Sequence, residues 1–179
     1  MRSWRDDDRE PFARLNADPR VWRWLGGPVD RVSSDALVDR FTEQERRHGF
    51  TGWAVEVVDD DGRAAPIVGF TGLVVPRFAP PFAHRADPLV EVGWRLDPAW
   101  WGRGIATEAA AAALAYAVDG AGLPEVVSFT TAGNRASRAV MERVGLVHDP
   151  AGDFDHPALP PDHPLRPHVL YRTPGVTTP

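Results

Sequence analysis

The amino-acid sequence predicts a mixed α/β fold built around one sheet. Two helical patterns come first, a hairpin follows, and the second half alternates strand, helix, strand, helix and strand without an internal repeat. The chain has 179 residues, enough to bury one sizeable core and too few for two ordinary domains. We therefore expect a single domain over residues 1–179.

Helices are predicted in the N-terminal part, after a short strand at residues 1–4. The acidic run at residues 6–8 supplies capping and first-turn acids for a helix that reaches about Asn16, and Pro19 ends it. A Gly-Gly-Pro break follows. Asp30 or Ser34 then caps a second helix, which carries Arg40 among the charged residues of its outer face.

The period of the hydrophobic residues then changes from helical to alternating, which predicts the sheet. Residues 53–58 and 66–75 form a hairpin around a turn at 59–62, and a proline-rich loop covers 76–88. Beyond the loop, glycines separate alternating helices and strands. These elements are strands at 89–96, 125–131, 146–148 and 168–172, and helices at 104–118 and 134–144.

Composition excludes several kinds of chemistry. The chain has no cysteine, which excludes disulfides, thiolate zinc sites and a cysteine-linked acyl intermediate, and it has no lysine to form a Schiff base. The formal net charge of −5 argues against nucleic-acid binding and suits a cationic substrate slightly better. With no apolar run of membrane length and no signal-like segment, we expect no membrane association and a cytoplasmic location.

The strand, turn and helix between residues 91 and 109 predict an anion site. The start of a helix exposes unpaired N–H groups at the positive end of the helix dipole, and glycines let a phosphate approach the backbone. The segment lacks the features of a Walker A loop and of a dinucleotide fingerprint. A tight connection without a ligand is the alternative. The residues expected to hold a pyrophosphate are Gly102, Arg103, Gly104, Ile105, Ala106 and Thr107.

Two separated motifs resemble the GNAT superfamily of N-acetyltransferases. Residues 100–109 read Trp-Trp-Gly-Arg-Gly-Ile-Ala-Thr-Glu-Ala, and residues 134–146 read Asn-Arg-Ala-Ser-Arg-Ala-Val-Met-Glu-Arg-Val-Gly-Leu. The chain looks most like the branch that includes the ribosomal-protein N-terminal acetyltransferases, although its first strand looks shorter than is usual in the family. The resemblance implies a mixed, mostly antiparallel sheet with splayed central strands, flanked by helices.

The same resemblance implies acetyl-coenzyme A (acetyl-CoA) as the cosubstrate. Its pantetheine arm would lie between the splayed strands and bond to backbone groups of Trp94, Arg95 and Leu96 like an added strand. Trp101 stands where the family signature often has Gln or Arg, and we expect Arg103 to supply that charge. The family also implies a possible homodimer, formed through the C-terminal strand.

Direct acetyl transfer needs a base, because an amine must lose a proton to become the nucleophile. Glu91 is the candidate, and strand alternation places it on the face opposite Val90 and Val92. A solvated strand carboxylate is the alternative. The resemblance places Ser137 near the departing sulfur and Asn134 near the pantetheine, whereas a Ser137 hydroxyl bonded to its own helix is the alternative.

Specificity for the acceptor is expected to come from aromatic residues and from the loop at residues 149–167. Trp22, Trp24, Phe78 and Phe82 are the candidates, with ordinary core packing as the alternative. The histidines and aspartates of the loop lack regular metal-ligand spacing, so we expect no metal site.

The sequence thus predicts an enzyme that transfers an acetyl group from acetyl-CoA directly to a primary amine. The acceptor is the amine of a small molecule or of a protein N-terminus. Tyr171 is a weaker candidate than Ser137 for assisting the departing thiolate. The alternative function is a non-catalytic domain that binds acetyl-CoA as a sensor.

Overall fold

The computed structural model describes residues 1–58, 61–62, 66–82 and 88–174. Its helices are α1 (Arg9–Ala17), α2 (Pro19–Trp22), α3 (Arg31–His48), α4 (Ile105–Asp119) and α5 (Arg135–Arg143). Its strands are β1 (Gly52–Val55), β2 (Gly69–Val74), β3 (Glu91–Leu96), β4 (Val127–Thr131), β5 (Val147–His148), β6 (Phe154–Asp155) and β7 (Pro167–Arg172). The helices flank the sheet, as expected. No helix in the described ranges is both long and apolar enough to cross a bilayer.

Within the described residues the strands form one sheet in the order β1-β2-β3-β4-β7-β5, with β6 also paired to β7. Only the β3–β4 pair is parallel, so the predicted mixed, mostly antiparallel sheet is confirmed. β7 pairs with β4 along one edge and with β5 and β6 in addition. A homodimer stays a prediction, but partners within the chain already occupy the edges of its C-terminal strand.

The N-terminal elements differ from expectation in one place. Pro19 begins α2 instead of only ending α1, because the Asp18 side chain accepts a hydrogen bond from the Arg20 N–H at 2.8 Å and proline suits the first position of a helix. The expected short first strand is a single bridge between Arg2 and Ala54. Asp30, rather than Ser34, caps α3.

Two strand predictions also need correction. β1 ends at Val55, earlier than the predicted 53–58, and the predicted turn and loop fall partly outside the described residues. β6 is a two-residue strand that forms by pairing with β7 inside the expected loop. A segment this short has no hydrophobic period that would reveal it.

The two faces of the sheet pack against different helices. On one face, Val92 of β3 and Val90, which precedes the strand, pack against the alanine-rich side of α4 and against Met141 of α5. Alanines allow α4 to approach the sheet closely, because they add little volume between backbone and strand. On the other face, Phe70 and Val74 of β2 pack in a cluster with apolar residues of α1 and α3.

The junction between β3 and β4 is the feature that positions the site. β3 pairs with β2 over six residues but with β4 only at Glu91 and Val127. The Val127 N–H donates to the Val90 carbonyl at 3.0 Å, and the Ser128 hydroxyl donates to the Val92 carbonyl at 2.8 Å. Beyond this point the strands separate, so a gap opens in the middle of the sheet.

A buried ion pair ties β7 to the segment before β4. The Arg172 guanidinium donates to Glu125 at 2.8 Å and to Asp149 at 2.7 Å, and the Arg172 and Glu125 side chains are only 9% and 4% exposed. We expect Arg172→Met to lower the free energy of unfolding by about 3–5 kcal/mol, because it leaves the Glu125 carboxylate buried without its cation. Chemical denaturation measures this loss.

The matched control is Arg46→Met, which breaks an exposed pair with Glu43 and should lower the free energy of unfolding far less. If the two variants lose equal free energy of unfolding, the buried pair stabilises the protein no more than the exposed pair does.

Candidate active site

A cavity of about 1440 Å³ occupies the gap between β3 and β4. It reaches from the start of α4 to α3 and to the loop before β7. Its walls include all of the predicted site residues except Arg103, namely Glu91, Trp94, Arg95, Leu96, Trp101, Gly102, Gly104, Ile105, Ala106, Thr107, Asn134 and Ser137. Arg103 is exposed and its guanidinium lies 4.8 Å from the centre of the Trp100 ring.

The turn before α4 has the properties that an anion site requires. Gly102 and Gly104 have φ angles of 76° and 80°, which favour glycine. Apart from each glycine and its two chain neighbours, no described atom lies within 4 Å of the position that a Cβ would take. Gly104 is the N-cap of α4, and no described side chain caps the N–H groups that follow it. The free amides at the start of α4 therefore fit a diphosphate.

The open edge of β3 continues from this turn along the gap. The carbonyls of Val90 and Val92 point toward β4, as their hydrogen bonds show. Because backbone groups alternate in direction along a strand, those of Trp94 and Leu96 also face the gap, where β4 no longer pairs with them. The indole N–H of Trp101 donates to the Leu96 carbonyl at 2.8 Å and so ties the turn to the strand.

Two residues at the start of α5 complete this wall. The Asn134 side chain accepts a hydrogen bond from the Ser137 N–H at 3.2 Å and donates one to the Thr130 hydroxyl at 3.2 Å, so Asn134 caps the helix. The Ser137 hydroxyl has no hydrogen-bond partner among the described residues and lies at the cavity wall. The alternative of a hydroxyl bonded to its own helix is not what the structure shows.

Glu91 lies on the face of β3 that packs against α1 and α3. Arg95, on the same face, donates to the Asn16 side chain of α1 at 2.6 Å, whereas Val90 and Val92 lie on the other face, as alternation predicts. Although part of its side chain faces the cavity, burial raises the pKa of Glu91 to about 8, and the nearby Arg40 charge opposes this rise. The carboxyl can therefore exchange a proton near neutral pH.

Arg40 is the site residue that sequence reasoning missed. The sequence placed it on the outer face of its helix, yet the structure puts it half-buried in the cavity wall. Arg40 stands three residues after Leu37, which also lines the cavity, and one before the buried Phe41. The spacing from Leu37 is the signal that the sequence offered, because residues three apart share a helix face.

Tyr171 does not take part in this cavity. It is 1% exposed, its hydroxyl donates to Glu142 at 3.0 Å, and it accepts a hydrogen bond from Arg138 at 3.3 Å. The Tyr171 side chain therefore belongs to the core beneath α5 and is not available to a departing thiolate.

The expected specificity residues are divided between the cavity and the core. Trp24 lines the cavity, whereas Phe78 and Phe82 pack in an aromatic cluster behind it. His156 and His168 also line the cavity, with ring centres 4.9 Å apart, and burial lowers the pKa of both. No group of three or more potential metal ligands occurs in the described part of the chain.

The split sheet, the open strand edge and the uncapped helix start define the architecture of an acetyltransferase that uses acetyl-CoA. Residues 1–147 match the family described as the acetyltransferase (GNAT) domain. The chain belongs to this family, whose members use acetyl-CoA, and the expected cosubstrate is thereby confirmed. The free amides and open Cβ positions at Gly102 and Gly104 fit that molecule.

Relatives of the chain include proteins named as acetyltransferases. It is 43% identical over 143 residues to an FsC-acetyl coenzyme A-N(2)-transacetylase of Aspergillus fumigatus, which covers 79% of this chain and 59% of that protein's length. An acetyltransferase structure from Agrobacterium tumefaciens is 28% identical, with a TM-score of 0.71 over 96% of this chain and 87% of the other.

The fold also matches an aminoglycoside acetyltransferase, AAC(6')-Ib, solved in complex with coenzyme A. It has a TM-score of 0.73 at 12% identity and covers 96% of this chain and 92% of the other. These similarities do not place the chain in the ribosomal-protein branch, which stays a prediction.

Proposed function

We propose that this chain transfers the acetyl group of acetyl-CoA directly to a primary amine. The observation that carries the proposal is the meeting of the uncapped start of α4 with the unpaired edge of β3 in one cavity. Gly102 to Thr107 would hold the diphosphate of the cosubstrate, and backbone groups of Trp94 and Leu96 would hold its pantetheine arm.

Glu91 and Ser137 are the proposed catalytic residues. The bound cosubstrate supplies an acetyl thioester, whose carbon the acceptor nitrogen attacks. Glu91 accepts the proton that the nitrogen loses as the C–N bond forms. The Ser137 hydroxyl donates a hydrogen bond to the sulfur as the C–S bond breaks, and the released thiolate is protonated from water.

The acceptor is proposed to be a small molecule rather than a polymer surface. The Aspergillus relative carries N(2)-transacetylase in its name, which supports an amine nitrogen as the acceptor for this chain as well. The cavity extends from Glu91 to Leu37 on one side and to His156 and Leu159 on the other, which gives an acceptor contacts on several sides.

The test combines calorimetry with acetyl-CoA and thiol release across a library of amines. Ser137→Ala should lower kcat about 10- to 100-fold, since it removes a hydrogen bond to a charged sulfur, and should leave the acetyl-CoA affinity unchanged. Ser3→Ala, at an exposed residue that does not line the cavity, is the matched control.

Binding of acetyl-CoA without thiol release in the presence of any amine would identify a sensor and refute the enzymatic proposal. Absence of binding would refute both.

A further inference from the structure

The cavity wall on the α1–α3 face carries two arginines and one glutamate. Arg40 comes from α3, and Glu91 and Arg95 come from β3. The two β3 residues lie about 13 Å apart along one face of the strand. Gly93 stands between them and contributes no side chain, and the Glu91 carboxyl leans over it, with Oε1 3.7 Å from the position that a Cβ would take. Arg40 lies close enough to act electrostatically on both.

Among the described residues neither arginine is paired with a carboxylate, although the Glu91 charge acts on Arg40. The Arg40 Nε is buried and has no hydrogen-bond partner among the described residues. Arg95 donates to the neutral side chain of Asn16 and lies over the Phe70 ring. Within the described ranges, no ion pair includes either guanidinium.

Burial makes these unpaired charges costly. It lowers the pKa of Arg40, which also faces the positive charge of Arg77, and it lowers the pKa of Arg95 to about 10. Guanidinium groups stay protonated despite a lowered pKa. The wall therefore carries two poorly hydrated positive charges and only one carboxyl.

The phosphates of acetyl-CoA do not account for this wall. They are expected at the start of α4, where Leu96 packs with Ile105 and Ala106. Because side chains alternate along β3, Arg95 points to the opposite face from Leu96. The two arginines therefore belong to the acceptor side of the cavity.

We propose that the acceptor is an aminocarboxylate, whose carboxylate binds Arg40 and Arg95 while its amine lies at Glu91. The inference rests on the acetyl-transfer function proposed above. A guanidinium offers paired N–H donors that match the two oxygens of a carboxylate, and such a ligand neutralises the buried charge. A simple cationic polyamine is disfavoured, although the net charge of the whole chain is −5.

The test compares each acceptor with its own carboxamide. α-Amino acids and ω-amino acids such as β-alanine, 4-aminobutanoate and 5-aminopentanoate are offered with acetyl-CoA, and thiol release is measured beside the corresponding amides. The best acid should exceed its amide in kcat/KM by about 10- to 100-fold, because the amide lacks the charge that the guanidinium groups bind.

Substitutions at Arg40 then test whether this residue causes the preference for the acid over its amide. Arg40→Met should reduce the acid-to-amide ratio to within about threefold, mainly by raising KM for the acid relative to KM for the amide, because any change in the pKa of Glu91 acts on both acceptors alike. Arg40→Lys should keep part of the ratio. The matched control is Arg47→Met on the same helix, where an exposed arginine pairs with Glu43, and its ratio should equal that of the unaltered protein.

The outcomes separate this inference from the function on which it rests. Thiol release with amides or simple amines at rates equal to or above those with acids would overturn the inference and leave the acetyltransferase standing. If no amine in the panel is acetylated, calorimetry of the CoA-loaded protein with the same acids and amides decides. Carboxylate binding that Arg40→Met weakens supports the inference, and absence of carboxylate binding overturns it.

Discussion

Glu91→Gln is expected to lower kcat by about 10²- to 10⁴-fold, the usual contribution of a positioned general base. The amide has nearly the size of the carboxyl but cannot accept the proton that the acceptor nitrogen loses. Glu91 has no hydrogen bond or ion pair with a described residue, so the change should not disturb the fold. Calorimetry should show that acetyl-CoA still binds as before.

The rate of acetylation should depend on pH through the protonation of Glu91. Burial raises the pKa of Glu91 to about 8, so the deprotonated, proton-accepting form increases as the pH rises through 8. The rate should therefore climb toward pH 8 and level off above it. The acceptor amine also becomes more reactive as the pH rises and it loses its proton. Two acceptors of different pKa separate the two contributions, because the inflection caused by Glu91 stays at the same pH while the one caused by the amine moves.

Glu10→Gln, at an exposed carboxylate of α1, should leave both the rate and the profile unchanged. If the Glu91→Gln variant keeps the rate and the inflection of the pH–rate profile near pH 8, another base, or water alone, removes the proton.

Gly104→Glu is expected to lower the affinity for acetyl-CoA at least about 100-fold. The residue caps α4 at the amides proposed to hold the diphosphate, and a carboxylate there repels the anion by several kcal/mol. The positive φ of 80° adds strain for any residue other than glycine. Calorimetry measures the affinity, and thermal unfolding reports the strain.

Two controls separate charge from strain. Gly104→Ala introduces the strain without the charge and should retain most of the affinity. Gly122→Glu introduces a carboxylate at another glycine of positive φ, 60°, that does not line the cavity, and it should leave binding unchanged. Full affinity in Gly104→Glu would place the diphosphate elsewhere and remove the basis of the proposed cosubstrate site.

The parts of the fold that the sequence predicted well have local causes. Gly102 and Gly104 mark a turn of positive φ, and the caps of α3 and α5 depend on a side chain and an N–H only three residues away. Alternation placed Glu91 on the correct face for the same reason. The gap between β3 and β4, in contrast, came from family resemblance, because the divergence of two strands distant in sequence leaves no local pattern.

The parts that the sequence missed depend on how distant elements pack. Arg40 looks like an ordinary surface arginine until α3 packs against the sheet and turns it toward β3. Arg95 was predicted for its backbone alone, whereas its side chain contacts Asn16, 79 residues earlier in the chain. The net charge of the whole chain likewise did not reveal the positive wall, since a sum over the surface contains no information about one cavity.

The single residue pair that joins β3 to β4 gives the cosubstrate a second role. A pantetheine arm in the gap would complete the missing row of backbone hydrogen bonds and fasten the two halves of the sheet to each other. The amides of Trp94 and Leu96 would then exchange slowly with deuterated solvent only while the cofactor is bound. Isotope uptake at the outer end of β3 would thus report how much of the protein is loaded, independently of which amine it acetylates.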